Sequence, residues 1–168
     1  FVGSIFAVIY LKIDQIMLRW LVGSQEVGIY SVAANLSEVW YFLPVAIVAS
    51  VYPKLIKLRK ESLEDYKKRL QQIFDLLFLV ALIIAILLTL ISDKIIMVLF
   101  GEEYIGSIAI FIVHIWSALF IFMRAAFSKW ILIEELLIFS LVTQGLGAGT
   151  NIILNFIFIP ILGGLGAA

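Results

Sequence analysis

The sequence predicts an all-α, polytopic integral membrane protein, and three observations carry that prediction. First, 64% of the 168 residues are hydrophobic and the mean hydropathy is +1.15, whereas soluble domains are roughly 45–50% apolar. Second, several apolar runs reach or approach the ~20 residues that a helix needs to cross a bilayer. Third, charge gathers in one place: Lys54, Lys57, Arg59, Lys60, Lys67, Lys68 and Arg69 all fall between Pro53 and Gln72. Loops rich in Lys and Arg stay on the cytoplasmic side, so this stretch orients the chain. The expected architecture is five transmembrane helices plus the start of a sixth, with one external interfacial helix.

Composition also excludes classes of function. The formal net charge is zero, which gives no electrostatic footprint for nucleic acid. There is no cysteine, so disulfides, thiolate metal sites and thiol catalysis are out. His114 is the single histidine, which removes multi-histidine metal centres. No glycine-rich phosphate loop, nucleophile elbow or zinc-helix motif is present. Phe1 opens inside an apolar run without a basic n-region, unlike a signal peptide. The closing residues Gly163-Gly164-Leu165-Gly166-Ala167-Ala168 read as the opening of a further helix, so the chain reads as a fragment of a longer membrane protein.

The first helix is expected over about 1–22, ending at the turn-like Gly23-Ser24-Gln25-Glu26. The second runs over about 27–57, with a kink where Pro44 removes a backbone donor and frees the carbonyl of Trp40. A cytoplasmic basic loop covers about 54–72, and Ser62 with Asp65 forms an [ST]-x-x-[DE] pattern that starts a helix there. The third span covers about 73–91. The mixed, amphipathic stretch Ser92–Tyr104 reads as the interfacial helix. The fourth span covers about 105–123 and exits at Arg124 and Lys129; the fifth covers about 136–162 and closes at Pro160 and the glycines after it. The Gly23–Glu26 turn, the Ser92–Tyr104 stretch and the Gly163–Gly166 turn then lie outside, and the Lys54–Arg69 and Arg124–Lys129 regions inside.

Ionisable groups at membrane depth cost a few kcal/mol and are functional-site candidates by default. Lys12 and Asp14 are two of these; two residues apart on a helix, they lie about 200° apart and cannot pair. Lys12, Gln15 and Arg19 share one stripe, Tyr10 and Asp14 another. In the second helix Ser31, Asn35, Glu38 and Phe42 recur at helical spacing, and in the fifth Gln144, Ala148, Asn151 and Asn155 do the same. Such stripes turn inward, as glue between helices or as the wall of a wet cavity. Glu38 is the less easily explained as glue, because a buried carboxylate must be protonated, paired or hydrated. Gly145 and Gly149 form a GxxxG packing motif, and His114 reads as a hydrogen-bonded structural histidine.

Three stretches are familiar together: Lys12-Ile13-Asp14-Gln15-Ile16-Met17-Leu18; Val27-Gly28-Ile29-Tyr30-Ser31-Val32-Ala33-Ala34 with Pro44 and Tyr52-Pro53 downstream; and Asn151-Ile152-Ile153-Leu154-Asn155 through Ile159-Pro160 to Gly163-Gly164-Leu165-Gly166-Ala167-Ala168. In order and spacing they resemble the polysaccharide-transporter (O-antigen flippase) family of the multidrug/oligosaccharidyl-lipid/polysaccharide exporter superfamily. The resemblance implies about twelve helices in two pseudo-symmetric bundles around a central cavity, of which this chain is similar to helices seven to eleven and the start of twelve. That makes it part of a C-terminal bundle whose N-terminal bundle is its first partner. The family topology also puts the loop after helix eight in the cytoplasm, in agreement with the basic loop.

The implied activity is movement of undecaprenyl-diphosphate-linked oligosaccharide repeats across the cytoplasmic (inner) membrane of a prokaryote, by alternating access and without enzymatic chemistry. The candidate cavity and substrate-binding residues are Lys12, Asp14, Asn35, Glu38, Arg124, Asn151 and Asn155. Asp14, which matches the family's Lys-x-Asp pattern, and Glu38 are candidates for binding a coupling proton or Na⁺; no other cofactor is expected. Pro44 and Pro160 are candidate hinges. Expected partners are the lipid-linked oligosaccharide and membrane lipids, with no nucleic acid. A cation-coupled multidrug or metabolite exporter of the same fold is the alternative. A membrane-embedded glycan-modifying enzyme would need catalytic His, Asp or Arg in external loops that are here short and nearly featureless.

Overall fold

The computed structural model describes the backbone of residues 2–168 and the side chains of residues 12–168. Phe1, the expected start of the first helix, and the side chain of Tyr10, expected on the Asp14 stripe, lie outside the described residues. The described residues are helical almost throughout. Helix α1 (Val2–Leu21) ends before Gly23, whose φ of 127° suits only glycine. Helix α2 (Ser24–Glu38) passes through a 3₁₀ turn (Val39–Tyr41) into α3 (Phe42–Glu61). The tightening falls at Trp40, the residue whose carbonyl loses its helical donor to Pro44.

The basic stretch 54–72 is not a loop. Helix α3 continues through Lys54, Lys57, Arg59 and Lys60, and α4 (Leu63–Leu90) begins at once. Only Ser62 is extended, with φ −154° and ψ 110°. Its Oγ accepts the Asp65 backbone N–H at 3.3 Å, the capping pattern legible in the sequence. Arg59 and Lys60 sit in the last turn of α3, and Glu64 and Asp65 in the first turn of α4, so both helix dipoles are complemented at this elbow.

Beyond it come α5 (Ser92–Phe100), a 3₁₀ turn (Glu102–Tyr104), α6 (Ser107–Trp116), α7 (Ala118–Ile133), α8 (Leu137–Leu162) and a short α9 (Gly164–Ala167). Helices α6 and α7 run on through Ser117 as one 27-residue span. The fourth span therefore does not exit at Arg124, which lies about 14 Å inside Ile133 at the helical rise.

Among the described residues, four helical stretches are long and apolar enough to cross a membrane: 24–61, 63–90, 107–133 and 137–162. Five were expected. Helix α1, 20 residues long with Lys12, Asp14 and Arg19 in it, stands outside the four. The chain is a multi-pass helical membrane protein, and its surface agrees: Val98, Ile138 and Phe120 are 82%, 80% and 78% exposed, a liability in water but the normal outer face in lipid.

Two cores hold the helices together. One, at the end bearing Gly23 and Gly101, gathers Met17, Leu18, Tyr30, Ala33, Ala34, Phe111, Ile115 and Ile159. The other packs Val48, Leu55, Tyr66, Leu77, Ala81 and Phe122 between α3, α4 and α7. Fully buried alanines recur in both, since small residues let helices approach where no hydrophobic force drives them together. At the basic end, Arg59 grips Glu134 on the turn after α7, and the Lys129 ammonium lies 5.2 Å over the Tyr52 ring. At the opposite end Glu26 accepts the Gly164 N–H at 2.9 Å, and Ser107 Oγ donates to the Ile29 carbonyl at 2.7 Å.

Candidate functional site

Helices α1 and α8 lie side by side, and their polar stripes meet. Asn151 and Asn155 are one turn apart on α8, so both amides face the same neighbour. Asn155 is 3% exposed; its Nδ2 donates to Asp14 Oδ1 at 2.7 Å and to Asn151 Oδ1 at 3.3 Å. Asn151 and the Tyr30 hydroxyl of α2 also bear on the Asp14 carboxylate. On its other side the Tyr30 hydroxyl lies 3.5 Å from the Ala167 carbonyl of α9. Residues 14, 30, 151, 155 and 167 thus form one cluster at the crossing of α1, α2, α8 and α9.

The chemistry of this cluster is that of oxygen donors around one carboxylate. Buried polar groups persist only when paired, and each member here has a partner. The carboxylate, the Asn151 carbonyl oxygen, the Tyr30 hydroxyl and the Ala167 carbonyl are hard ligands of the kind that receive a proton or a small hard cation. A cluster of three or more His, Cys, Asp or Glu suited to a transition metal does not occur among the described residues.

The other residues singled out from the sequence are placed differently. Lys12 is exposed and does not pair with Asp14. Asn35 is exposed; Glu38 is half-buried near the end of α2 and acts electrostatically on Tyr30 together with Asp14. Arg124 lines a separate cavity between α7 and α8. Of the seven candidates, Asp14, Asn151 and Asn155 come together, while Glu38 is near enough to act on Tyr30, and Lys12, Asn35 and Arg124 lie elsewhere. Pro44 lies just past the 3₁₀ turn, and Pro160 in the last turn of α8 before Gly163, whose φ is 59°. Gly145 and Gly149 make no close packing: a Cβ on either would meet nothing within 4 Å.

Sequence reasoning missed Tyr30 as a site residue, although a signal was available. Tyr30 precedes Ala33, Ala34 and Ser37 at i+3, i+4 and i+7, which marks the small, tightly packed face of α2. On that face Ser37 Oγ and His114 Nδ1 are 2.6 Å apart, and Tyr41 and Ser117 hydroxyls 3.1 Å. The terminal glycines also have physical reasons. A Cβ on Gly163 would fall 2.8 Å from Glu26 Oε1, and one on Gly166 would fall 2.3 Å from the Phe158 carbonyl oxygen. At the basic end Arg59 binds Glu134 through two contacts, Nε to Oε1 at 2.9 Å and Nη2 to Oε2 at 3.0 Å. That guanidinium holds the Glu134 carboxyl below the usual carboxylate range.

Comparison with known proteins gives this geometry a family. A family model described as "Polysaccharide biosynthesis protein" matches residues 1–109, the segment that carries Asp14, Tyr30 and Glu38. Over 103 residues the chain is 25% identical to a Shigella flexneri protein named "Putative O-antigen transporter", a match covering 61% of this chain and 24% of that protein's length. No solved structure matches the chain. The chain thus spans about a quarter of the relative, whose name is that of a transporter and not of an enzyme. On the match across most of its length, the chain belongs to the polysaccharide biosynthesis protein family.

Proposed function

We propose that the protein moves undecaprenyl-diphosphate-linked oligosaccharide repeat units across the cytoplasmic membrane of a prokaryote, for surface polysaccharide synthesis, by ion-coupled alternating access. The observation that supports this best is the 2.7 Å contact between Asp14 and Asn155. It joins the family's Lys-x-Asp position on α1 to the asparagine stripe of α8, 141 positions away, inside helices that a membrane surrounds. An ionisable group at such depth is a functional-site candidate by default.

In this reading α1 is a fifth crossing, about 30 Å long at the helical rise, and the basic end faces the cytoplasm by the positive-inside rule. A proton or Na⁺ arriving at Asp14 neutralises the carboxylate and changes what Asn155, Asn151 and Tyr30 can bond. That alters the fit of α1 against α8 and α9, and the bends at Pro44 and Pro160 supply the compliance. The rest of the longer polypeptide closes the other side of the pathway.

The test is complementation. Deleting the parent gene should accumulate lipid-linked repeats and abolish surface polymer, and the wild-type gene should reverse both. Asp14→Asn should restore less than about a tenth of export while reaching the membrane at wild-type levels, in line with the loss of an essential charged contact. Full restoration by Asp14→Asn would remove the coupling assignment, and unchanged surface polymer with altered drug sensitivity on deletion would point instead to a drug or metabolite exporter.

A further inference from the structure

The span 107–133 runs alongside 24–61 in the same direction, and side chains tie the two at four heights. Ser107 donates to the Ile29 carbonyl, His114 meets Ser37, Ser117 meets Tyr41, and Glu134 receives Arg59. The sequence separation across these ties falls only from 78 to 75, so the two helices keep register from one end to the other.

Both spans leave the α-helical pattern at the same height. The first tightens to 3₁₀ at Val39–Tyr41. The second tightens at Ser117, whose N–H bonds the His114 carbonyl at 3.1 Å and whose carbonyl accepts the Phe120 N–H at 3.0 Å. Pro44 accounts for the first break, because it removes a donor. The second has no such cause in its own sequence, since neither proline nor glycine falls between Ser107 and Ile133. What stands beside it instead is the first break, joined to it by Ser37–His114 at 2.6 Å and Tyr41–Ser117 at 3.1 Å. A 3₁₀ stretch inside a long helix often marks a hinge.

The two cores divide at this height as well. Trp40 packs on the core at the Gly23 end and Tyr41 on the core at the basic end, and Ile115 and Ala118 split in the same way. Helix α4 passes the division unbroken, with Ile84 touching both cores. We propose that this level is a paired hinge. Spans 24–61 and 107–133 bend there together, the basic half tilting on the half that holds Asp14, with α4 as the continuous post. The Ser37–His114 and Tyr41–Ser117 contacts pass the bend from the proline-broken span to its neighbour. This device goes beyond the transport reading and operates without cargo.

Amide hydrogen exchange of the full-length parent in lipid nanodiscs, read by mass spectrometry without substrate, tests the pairing. Pro44→Ala restores the missing donor, so exchange should slow about tenfold in 36–43 and also in 113–120 on the other span. The α4 segment 79–88 should not change. With Ser37→Ala and Ser117→Ala added, which remove the two ties at little change in volume, Pro44→Ala should slow 36–43 alone. Slowing confined to 36–43 when the ties are intact, or slowing in neither segment, overturns the paired hinge. Slowing in both segments after the ties are removed overturns the role of the two contacts. Faster exchange across α4 would show that the halves part by unfolding, which overturns it too. None of these outcomes touches the cargo, which complementation decides separately.

Discussion

Asn155 commits its side-chain amide to two acceptors, Asp14 on one helix and Asn151 on its own, which makes it the joint of the polar cluster. Asn155→Ala should lower the stability of the detergent-solubilised parent by about 1–3 kcal/mol, the cost of leaving buried acceptors without a donor. In an Asp14→Asn background the same substitution should cost clearly less, because the charge-assisted half of the interaction is already gone; thermal melts of the four proteins measure the difference, and equal costs would show that the two side chains are not coupled. The glycines make a second contrast at this scale. Gly166→Ala drives a Cβ against the Phe158 carbonyl, whereas Gly147→Ala places one in open space. The first should lower the melting temperature by several degrees; the second should leave it unchanged or raise it slightly, as alanine exceeds glycine by about 1 kcal/mol in a helix.

The elbow between α3 and α4 shows how one residue sets an element boundary. Ser62 alone leaves the helical conformation, and its Oγ caps the new helix at the Asp65 N–H. Ser62→Ala should cost about 0.5–2 kcal/mol, and Ser62→Asp should keep most of it; circular dichroism melts distinguish the two, and an unchanged melt for Ser62→Ala would mean that packing of Tyr66 and Leu55 fixes the elbow instead. The [ST]-x-x-[DE] pattern was readable, as were the apolar spans and the Pro44 break, because these depend on neighbours within one turn. What was not readable is how little loop remains within the basic stretch 54–72. Helix α3 runs on past Lys57 to Glu61 and leaves only Ser62 between it and α4. A dense cluster of like charges reads as solvated until the partner Glu134 of Arg59 is seen. The continuation of α7 to Ile133 was hidden for the same reason: Arg124 and Lys129 look like an exit, but Phe122 before them and Ala126 between them are buried against α3 and α4. The Asp14 cluster was half legible. Periodicity put Asn151 and Asn155 on one face, but only the packing of α8 on α1 selects Asp14 over Lys12 as the residue they meet, and Tyr30 enters from a third helix.

Across the whole molecule, the basic end is tied by the bidentate contact of Arg59 with Glu134, which links the α3–α4 elbow to the α7–α8 turn. Exposed pairs contribute only about 0–1 kcal/mol to stability, so the effect of breaking this one belongs to geometry more than to melting. Glu134 titrates below its ordinary value of 4.5 because of Arg59. A carboxyl depressed in the folded state contributes stability above its unfolded pKa and loses it as pH falls through the lower folded value. The tie should therefore hold unchanged from neutral pH down to about 4.5 and loosen only below that. Since the chain has no cysteine, spin labels on cysteines introduced at the exposed Leu63 and at Leu136 report the separation of the two segments directly. The wild-type pair should give one narrow distance distribution at neutral pH and a broader one below pH 4.5. Arg59→Gln should be broad at every pH, and the swap of Arg59→Glu with Glu134→Arg should narrow it again at neutral pH. If Arg59→Gln stays narrow at neutral pH, the ends are held by the Tyr66 and Phe122 core beneath, and the ion pair only decorates a junction that packing has already closed.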